Sequence, residues 1–249
     1  MQLRRLIRAA VILALLVSTA ATPLAAAANE DVSLRHYRVT LQNLTRGQPF
    51  SPPVVATHRR GLHMFQVGHL ATDQLAAIAQ DGNEGPMFGL FNGSPGVTQT
   101  VDVGHPLTPH DRTVGTFTDT ATFDISARAG DRFSLATMLI CTNDGFLGLD
   151  GVRLPSDAAR TFELVGWDAG RENNTEKSQD IVDPCSALGP VVLKGDPNGN
   201  RDAEVATVQP EPIHLHAGIA GIGDLTRAIH GWKDPVARVS IERLDTDDE

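Results

Sequence analysis

The sequence predicts an all-β fold, a β-sandwich with one or two short peripheral helices. Short segments with alternating apolar and polar residues recur along the chain, and turns rich in Gly, Pro and Asp separate them. Hydrophobic residues make up 41% of the 249 residues, which is enough to build a buried core. No β-α-β pattern appears, and this disfavours a doubly wound nucleotide-binding fold.

Seven segments are expected to be extended. The first is typical, because Tyr37, Val39 and Leu41 alternate with polar residues, as in a strand with one face in the core. The others are short and follow at regular intervals, as in a sandwich. The predicted strands comprise residues 36–43, 54–57, 97–103, 116–125, 132–140, 161–167 and 236–244.

One segment carries clear helical signals. Thr72 or Asp73 can cap its first turn, apolar residues recur through residues 75–79, and the sequence Asp81-Gly82-Asn83 ends it. We expect this helix to cover one end of the sandwich.

The first residues, 1–28, have the features of a signal peptide. Three arginines within the first eight residues precede an apolar run at 9–17 and an alanine-rich zone at 24–28. The apolar run is too short to span a membrane. Cleavage near Ala27 or Ala28 would release a secreted or periplasmic protein.

The mature chain, residues 29–249, is expected to form a single domain with its core at about residues 36–244. Its formal net charge, −9 for the whole sequence, argues against nucleic acid as a partner and against electrostatic attachment to an anionic membrane. The sequence shows no basic stripe that would bind phosphates.

The chain contains two cysteines, Cys141 and Cys185. Export would place them in an oxidising compartment, where a paired count favours a disulfide. The alternative is a pair of buried thiols.

Three acidic residues follow two of the predicted strands. Asp144 lies in the loop after strand 132–140, and Asp168 and Glu172 lie in the loop after strand 161–167. If the two strands share a sheet edge, the three carboxylates come within reach of one ion. Carboxylates on glycine-containing loops suit a hard cation such as Ca²⁺. The alternative is that they are ordinary turn residues, since Asp and Gly dominate turns for backbone reasons.

These loops also carry a family resemblance. The sequence Asp144-Gly-Phe-Leu-Gly-Leu-Asp150, followed by Trp167-Asp-Ala-Gly-Arg-Glu172, resembles the spondin amino-terminal domain, the module of F-spondin and mindin. Segments 37–41, 75–83 and 237–243 resemble the opening strand, a helix and the closing strand of that family, so the resemblance covers about the whole mature chain.

The resemblance implies a C2-like antiparallel β-sandwich with a Ca²⁺ ion at one end, and it places the three acidic ligands at Asp144, Asp168 and Glu172. The sequence departs from the family at two positions. Gly145 stands where animal members have Trp, and Arg171 introduces a cation inside the second motif, where it would lower the affinity for metal.

The function expected from these features is a secreted calcium-binding adhesion or binding module, in which Ca²⁺ orders the loops at one end. Its partner would be an extracellular or cell-surface protein or a glycoconjugate. The sequence contains no Gly-X-Ser-X-Gly or His-Glu-X-X-His motif, and we expect no enzymatic activity.

Two alternatives remain open. One is an exported metal-dependent hydrolase, because carboxylates and histidines are plentiful. The other is a transition-metal-binding protein that uses His214 and His216, which are spaced to share one face of a strand.

Overall fold

The structure of the protein, a computed structural model, describes residues 33–189, 207 and 209–244. The predicted signal peptide and its cleavage site near Ala27 or Ala28 lie outside these residues. Ten strands in the described part form two antiparallel sheets. This confirms the expected all-β sandwich.

The strands vary from two to nine residues in length. In chain order they are β1 (Arg35–Asn43), β2 (Val54–His58), β3 (Val97–Asp102), β4 (Thr120–Ala127), β5 (Arg132–Met138), β6 (Gly145–Arg153), β7 (Arg160–Leu164), β8 (Trp167–Asp168), β9 (His214–Leu215) and β10 (Ala237–Leu244). The first sheet has the order β4-β1-β10-β7 and the second has the order β3-β2-β5-β6-β8-β9. The chain termini of the domain therefore meet as neighbouring strands β1 and β10 in the first sheet.

The four-stranded sheet has one buried face, as the alternating sequence predicts. Tyr37, Val39 and Leu41 of β1 are buried, whereas Arg38 between them is exposed and pairs with Asp124 of the neighbouring strand β4. Apolar side chains of β10 continue this face, and the opposing layer comes from β2, β5 and β6. Together these side chains form the central core of the sandwich.

The central strands β2 and β5 of the six-stranded sheet are buried on both faces. Val55 and Leu135 point into the central core, while their neighbours Val54 and Ala136 belong to a second core on the outer face. Helices cover that outer face. The four helices of the described part are α1 (Asp73–Asp81), α2 (Gly85–Phe91), α3 (Pro184–Leu188) and α4 (Arg227–His230), instead of the one or two that the sequence predicted.

Helix α1 begins and ends where the sequence predicts. Thr72 accepts a hydrogen bond from the backbone N–H of Leu75 at 3.2 Å, and Gly82 ends the helix in the left-handed conformation. However, the expectation that α1 covers one end of the sandwich is wrong. Its buried residues Leu75 and Ile78 pack on the outer face of the six-stranded sheet. None of the helices in the described part has the length and apolarity that a membrane crossing requires.

Two strand predictions need correction around the acidic loops. The predicted strand 161–167 is two strands in different sheets, β7 and β8, and the chain changes sheet at Gly166. A Cβ at Gly166 would lie 3.1 Å from Leu139 and 3.2 Å from the ring of Trp232, so glycine allows the close packing at this crossing.

Strand β6 was not predicted, because its three glycines weaken the strand pattern. At one of them, Gly148, a Cβ would lie 2.3 Å from the carbonyl oxygen of Leu135 and 2.8 Å from the ring of Phe65. The glycine is therefore a packing requirement within a genuine strand.

A disulfide joins Cys141 and Cys185, as the cysteine count favoured. Both cysteines are buried in a third apolar cluster, together with Met138, Ile181 and Leu188 among others. The bridge links the loop after β5 to helix α3, and it closes a loop of 44 residues that contains both acidic segments.

Removal of the disulfide should lower the stability of the protein. Replacing both Cys141 and Cys185 with Ala frees a 44-residue loop in the unfolded chain, and we expect the free energy of unfolding to fall by about 2 to 5 kcal/mol. Urea denaturation of the native protein and the double variant measures this difference. A thiol assay of the native, unreduced protein that detects two free thiols would contradict the pairing.

Candidate functional site

Asp144 lies in the short connection between β5 and β6 and is fully buried. Its Oδ2 atom accepts hydrogen bonds from the backbone N–H groups of Arg171 at 2.6 Å and Glu172 at 3.0 Å. Its Oδ1 atom is buried and has no hydrogen-bond partner among the described residues. A buried carboxylate oxygen without a donor is costly, since it has lost its water without replacement.

Asp168 is brought next to Asp144 by the pairing of two strands. In the β6–β8 ladder, Gly145 lies directly opposite Asp168, and the backbone N–H of Ala169 donates to the carbonyl oxygen of Asp144. The Asp168 carboxylate is also buried. It accepts hydrogen bonds from the backbone N–H of Gly170 at 2.8 Å and from the side-chain amide of Asn174 at 2.7 Å.

The pKa of Asp144 is shifted by its surroundings. Burial and, secondly, the negative charge of Asp168 together raise the pKa of Asp144 to about 6, against the opposing effect of the Arg171 and Glu172 N–H groups. The cost of the charged form of Asp144 therefore comes from a dry environment and from a like charge beside it. A bound cation would relieve both.

Glu172 takes part in this site differently. Its backbone N–H donates to Asp144, while its carboxylate, also buried, accepts a hydrogen bond at 3.0 Å from the side chain of Gln80 on α1. The charge of Asp168 acts on Asp144, so these two carboxylates lie near each other, whereas the carboxylate of Glu172 contacts Gln80 and its backbone N–H reaches Asp144. Whether all three carboxylates bind one ion stays a prediction.

The two departures from the family sequence have local explanations. The guanidinium of Arg171 donates to the carbonyl oxygen of Ala71 at 3.1 Å and to the carboxylate of Asp73 at 2.9 Å. Its positive charge is therefore paired with Asp73 at the start of α1. At Gly145, a Cβ would lie 2.5 Å from Oγ1 of Thr142, which itself accepts the Gly145 N–H. A larger residue does not fit at this position unless Thr142 moves.

Two histidines lie near the acidic pair. His214 is exposed and close to Asp168, whereas His216 is buried. The Nε2 atom of His214, on the exposed strand β9, is 4.0 Å from Oδ2 of Asp168. His216 follows the strand and is buried against the ring of Trp232. Its Nδ1 accepts the N–H of Gly218, and its Nε2 is buried without a partner among the described residues.

Burial lowers the pKa of His216, and the positive charge of His214 acts in the same direction, whereas the negative charge of Asp168 opposes them. His216 is therefore held in its neutral form beside the acidic pair. The two histidines differ in exposure, and Nδ1 donates to a carbonyl oxygen in His214 but accepts an N–H in His216, so they do not form a symmetric pair of ligands.

The chemistry of this site suits a hard cation. The nearest groups offer carboxylate oxygens, each of which has more than one lone pair and can accept a hydrogen bond while it binds a metal. Asp144 Oδ1 is the one of these oxygens that lacks any donor in the described part. Asp144 and Asp168, with Glu172 at the edge, are the residues that would hold Ca²⁺ here.

A second group of possible ligands lies elsewhere and was not predicted. His110, Asp111 and Asp119 place one ligand atom each within 4.8 Å of one another. Nδ1 of His110 is 2.9 Å from Asp119, and its Nε2 is 3.6 Å from Asp111, which is 86% exposed. The two ring nitrogens of His110 face different carboxylates, so the imidazole lies between two acids. One ion cannot bind both ring nitrogens, because they point to opposite sides of the ring.

Glu176 organises the loops near the site, and no motif in the sequence indicates this role. It is buried, and its carboxylate accepts the backbone N–H groups of Ala220, Gly221 and Ile222. Its own N–H donates to the side chain of Asn143, next to Asp144. The glycine-rich segment that holds the carboxylate resembles an anion-binding loop, and the anion is a side chain of the same protein.

Comparison with known proteins identifies the family of the chain. A protein-family model described as Spondin_N matches residues 35–185, which is more than half of the chain. The match runs from the first residue of β1 to Cys185, and it includes Asp144, Asp168 and Glu172. No curated protein matches the chain.

The pKa of Asp144 predicts how the stability of the metal-free protein changes with pH. Its pKa is about 6 in the folded protein and 3.8 as an isolated group, so the folded state binds more protons between these values. The contribution of Asp144 to stability is therefore greatest at low pH and is lost as the pH rises from about 4 to about 6.

The Asp144→Asn variant should lack this loss. Urea denaturation in EDTA at pH 4 to 8 measures it as the difference between variant and native protein, with the exposed substitution Asp157→Asn as the control. Parallel profiles for native protein and Asp144→Asn would contradict the shifted pKa of Asp144.

Glu176→Gln should lower the free energy of unfolding by more than a substitution at the surface does. A Gln amide presents N–H groups where two oxygens now accept three backbone N–H groups, and we expect a loss of about 2 kcal/mol in the free energy of unfolding. The matched substitution Glu163→Gln, on an exposed side chain, should change it by less than about 0.5 kcal/mol. Equal effects on the two midpoints of denaturation would refute the anchoring role.

Proposed function

Because the chain belongs to the spondin N-terminal domain family, we propose that it is an exported calcium-binding adhesion or binding module. The ion is held by Asp144 and Asp168, with Glu172 completing the acidic set. Its role is structural, since it neutralises crowded carboxylates and orders the loops at this end of the sandwich.

The observation that carries the proposal is the unpartnered Oδ1 atom of Asp144. This atom is buried beside a second buried carboxylate, and no described group donates to it. Proteins rarely leave such an oxygen without a partner, and buried charges are normally paired or bind metals. The raised pKa of Asp144 has the same origin.

Export is supported by three independent features. The sequence begins with the features of a signal peptide, the family is one of binding modules, and the structure pairs its two cysteines in a disulfide. Disulfides persist in oxidising compartments such as the periplasm and the extracellular space.

The proposed partner is an extracellular or cell-surface protein or a glycoconjugate. Exposed apolar side chains adjoin the acidic end of the sandwich. Leu215 lies between the two histidines on and after β9, and Leu70 bridges to Pro212 just before that strand; both leucines are more than half exposed. Loops ordered by the ion would present these side chains in a fixed arrangement.

An enzymatic function is disfavoured by the family, which is one of non-catalytic modules. The structure does contain a Ser–His hydrogen bond of 2.8 Å, between Ser134 and His58. Both side chains are completely buried, and Nδ1 of His58 is bonded to the carbonyl oxygen of Arg59. No substrate can reach this pair, so its role is structural.

A transition metal is the second candidate for the same site. Nδ1 of His214 is 3.0 Å from the carbonyl oxygen of Pro212, to which only a protonated nitrogen can donate. This fixes the lone pair on Nε2, which lies 4.0 Å from Asp168 and can share a Zn²⁺ or Cu²⁺ ion with it.

Calcium titration of the EDTA-treated mature protein tests the proposal. We expect one binding event by calorimetry and a raised melting temperature, and calcium at a hundredfold excess over its Kd should stabilise the fold by about 2.7 kcal/mol. Asp144→Asn and Asp168→Asn should each abolish both effects, because they remove charges that the ion neutralises.

The substitution Asp119→Asn is the matched control, because it alters the other group of possible ligands. If calcium binding survives in Asp168→Asn but is lost in Asp119→Asn, the ion binds at His110, Asp111 and Asp119 instead. Absence of heat and of stabilisation in the native protein would exclude the calcium proposal. Zinc binding that is lost in His214→Ala, without calcium binding, would establish the second candidate.

A further inference from the structure

Four arginines line one pocket at the end of the sandwich away from the acidic site. The pocket has a volume of about 230 Å³, and Asp131 is the one acidic residue among the residues that line it. The lining residues are Arg35, Tyr37, Arg128, Gly130, Asp131, Arg132, Arg153 and Leu154. Such a concentration of positive charge is unexpected in a protein with a formal net charge of −9.

The strands determine where this pocket lies. Arg132 is the first residue of β5 and Arg153 the last residue of β6, whereas Asp144 lies in the connection between the other ends of these strands. β6 has nine residues, so roughly 27 Å separate its two ends. The pocket and the acidic pair therefore occupy opposite ends of the same two strands.

The arginine side chains of the pocket lack the partners that other arginines of this protein have. Arg38, Arg171 and Arg238 each form an ion pair with a carboxylate. In the described part of the chain, the four guanidinium groups of the pocket form no hydrogen bond and no ion pair. Such charges are left for water or for a ligand to satisfy.

The positions of the arginines add a repulsion. Arg132 and Arg153 lie directly opposite each other in the β5–β6 ladder, and like charges in that position destabilise a sheet. Asp131 cannot compensate for all four charges. One of its oxygens already accepts hydrogen bonds from Oγ1 of Thr98 and from the backbone N–H of Arg128.

The hydroxyl of Tyr37 adds a neutral donor to this lining. Tyr37 is a core residue whose ring is almost completely buried, and no hydrogen bond joins its hydroxyl to another described residue. The pocket thus combines a rigid base, provided by the core, with flexible cationic side chains around it.

We propose that this pocket binds a tetrahedral oxyanion, a phosphate or sulfate group carried as an ester by a small molecule or a glycan. Guanidinium groups suit this chemistry, since their N–H groups form paired hydrogen bonds to the oxygens of phosphate and carry a permanent charge. An oxyanion between Arg132 and Arg153 would also remove their repulsion. The pocket has room for one such group with part of its ester.

The chain itself carries a competing anion. Residues 245–249 include four acidic residues, and they follow Leu244, which pairs with His36 beside Arg35. The arrangement of four arginines around one pocket favours an external ligand. A phosphate or sulfate group has several oxygens on one centre and can accept hydrogen bonds from two guanidinium groups at once, whereas the carboxylates of the tail are spread along the chain. Deletion of residues 245–249 distinguishes the tail from an external ligand.

Anion titration of the mature protein at constant ionic strength tests the proposal. The probes are inorganic phosphate, inorganic sulfate, glucose 6-phosphate and a sulfated disaccharide, each measured by calorimetry against chloride. We expect saturable binding of at least one probe, and the tighter ester identifies the group. The double substitution Arg132→Gln/Arg153→Gln should weaken binding at least about tenfold, because it removes hydrogen bonds to a charged group.

The control is Arg46→Gln, an exposed arginine beyond the opposite end of β1, which changes the net charge without touching the pocket. Without anions and at low salt, Arg132→Gln alone should raise the melting temperature, and Arg46→Gln should not; this readout also shows that the pocket variant folds. No saturable binding, or equal weakening by Arg46→Gln, would overturn the proposal. So would binding that appears only after deletion of residues 245–249, which would assign the pocket to the chain's own tail.

Discussion

The pairing of β6 with β8 is the constraint on which the acidic site depends. It sets Gly145 opposite Asp168, and the side chain one residue before Gly145 is that of Asp144. The ladder holds the backbones of the two residues side by side, and the negative charge of Asp168 acts on the buried carboxylate of Asp144. The disulfide, the Asn143–Glu176 contact and the Arg171 N–H group all hold the surrounding loops to this pair. The loops are thus fixed around an electrostatic conflict that the backbone imposes.

The sandwich is also electrostatically polar along its strands. The connection between β5 and β6 carries the buried Asp144, β8 beside it carries Asp168, and the opposite ends of β5 and β6 carry arginines. Neither end compensates the other, since the separation greatly exceeds the distance over which charges interact in salt. The net charge of the chain sums over both ends, so it does not reveal this arrangement. The absence of a basic stripe in the sequence reflects the same averaging, because Arg35, Arg128 and Arg153 lie far apart in the chain and meet only in the fold.

Much of the fold could be predicted because burial on one face leaves an alternating pattern, as in β1 and β10. Where strands are buried on both faces, or where glycine allows close contact, that pattern is absent. β6 was missed for this reason, and the break at Gly166 was missed because the apolar run continues from one sheet into the other. At the site, the motif predicted Asp144, Asp168 and Glu172 as ligands, and the structure shows that all three side chains are buried. Glu176 could not be found, because its partners are backbone N–H groups supplied by a distant loop.

Glu176 and Asp144 show how differently this protein treats two buried carboxylates. Three backbone N–H groups surround the carboxylate of Glu176, so its charge is balanced by the protein itself. Asp144 receives two such groups on one oxygen and none on the other, and a second carboxylate adjoins it. A loop that supplies three donors to one acid shows that this fold can satisfy a buried carboxylate where no ion is needed. The incomplete set at Asp144 leaves one oxygen open to a group from outside the chain, and the cation of the proposed function would neutralise Asp144 and Asp168 together.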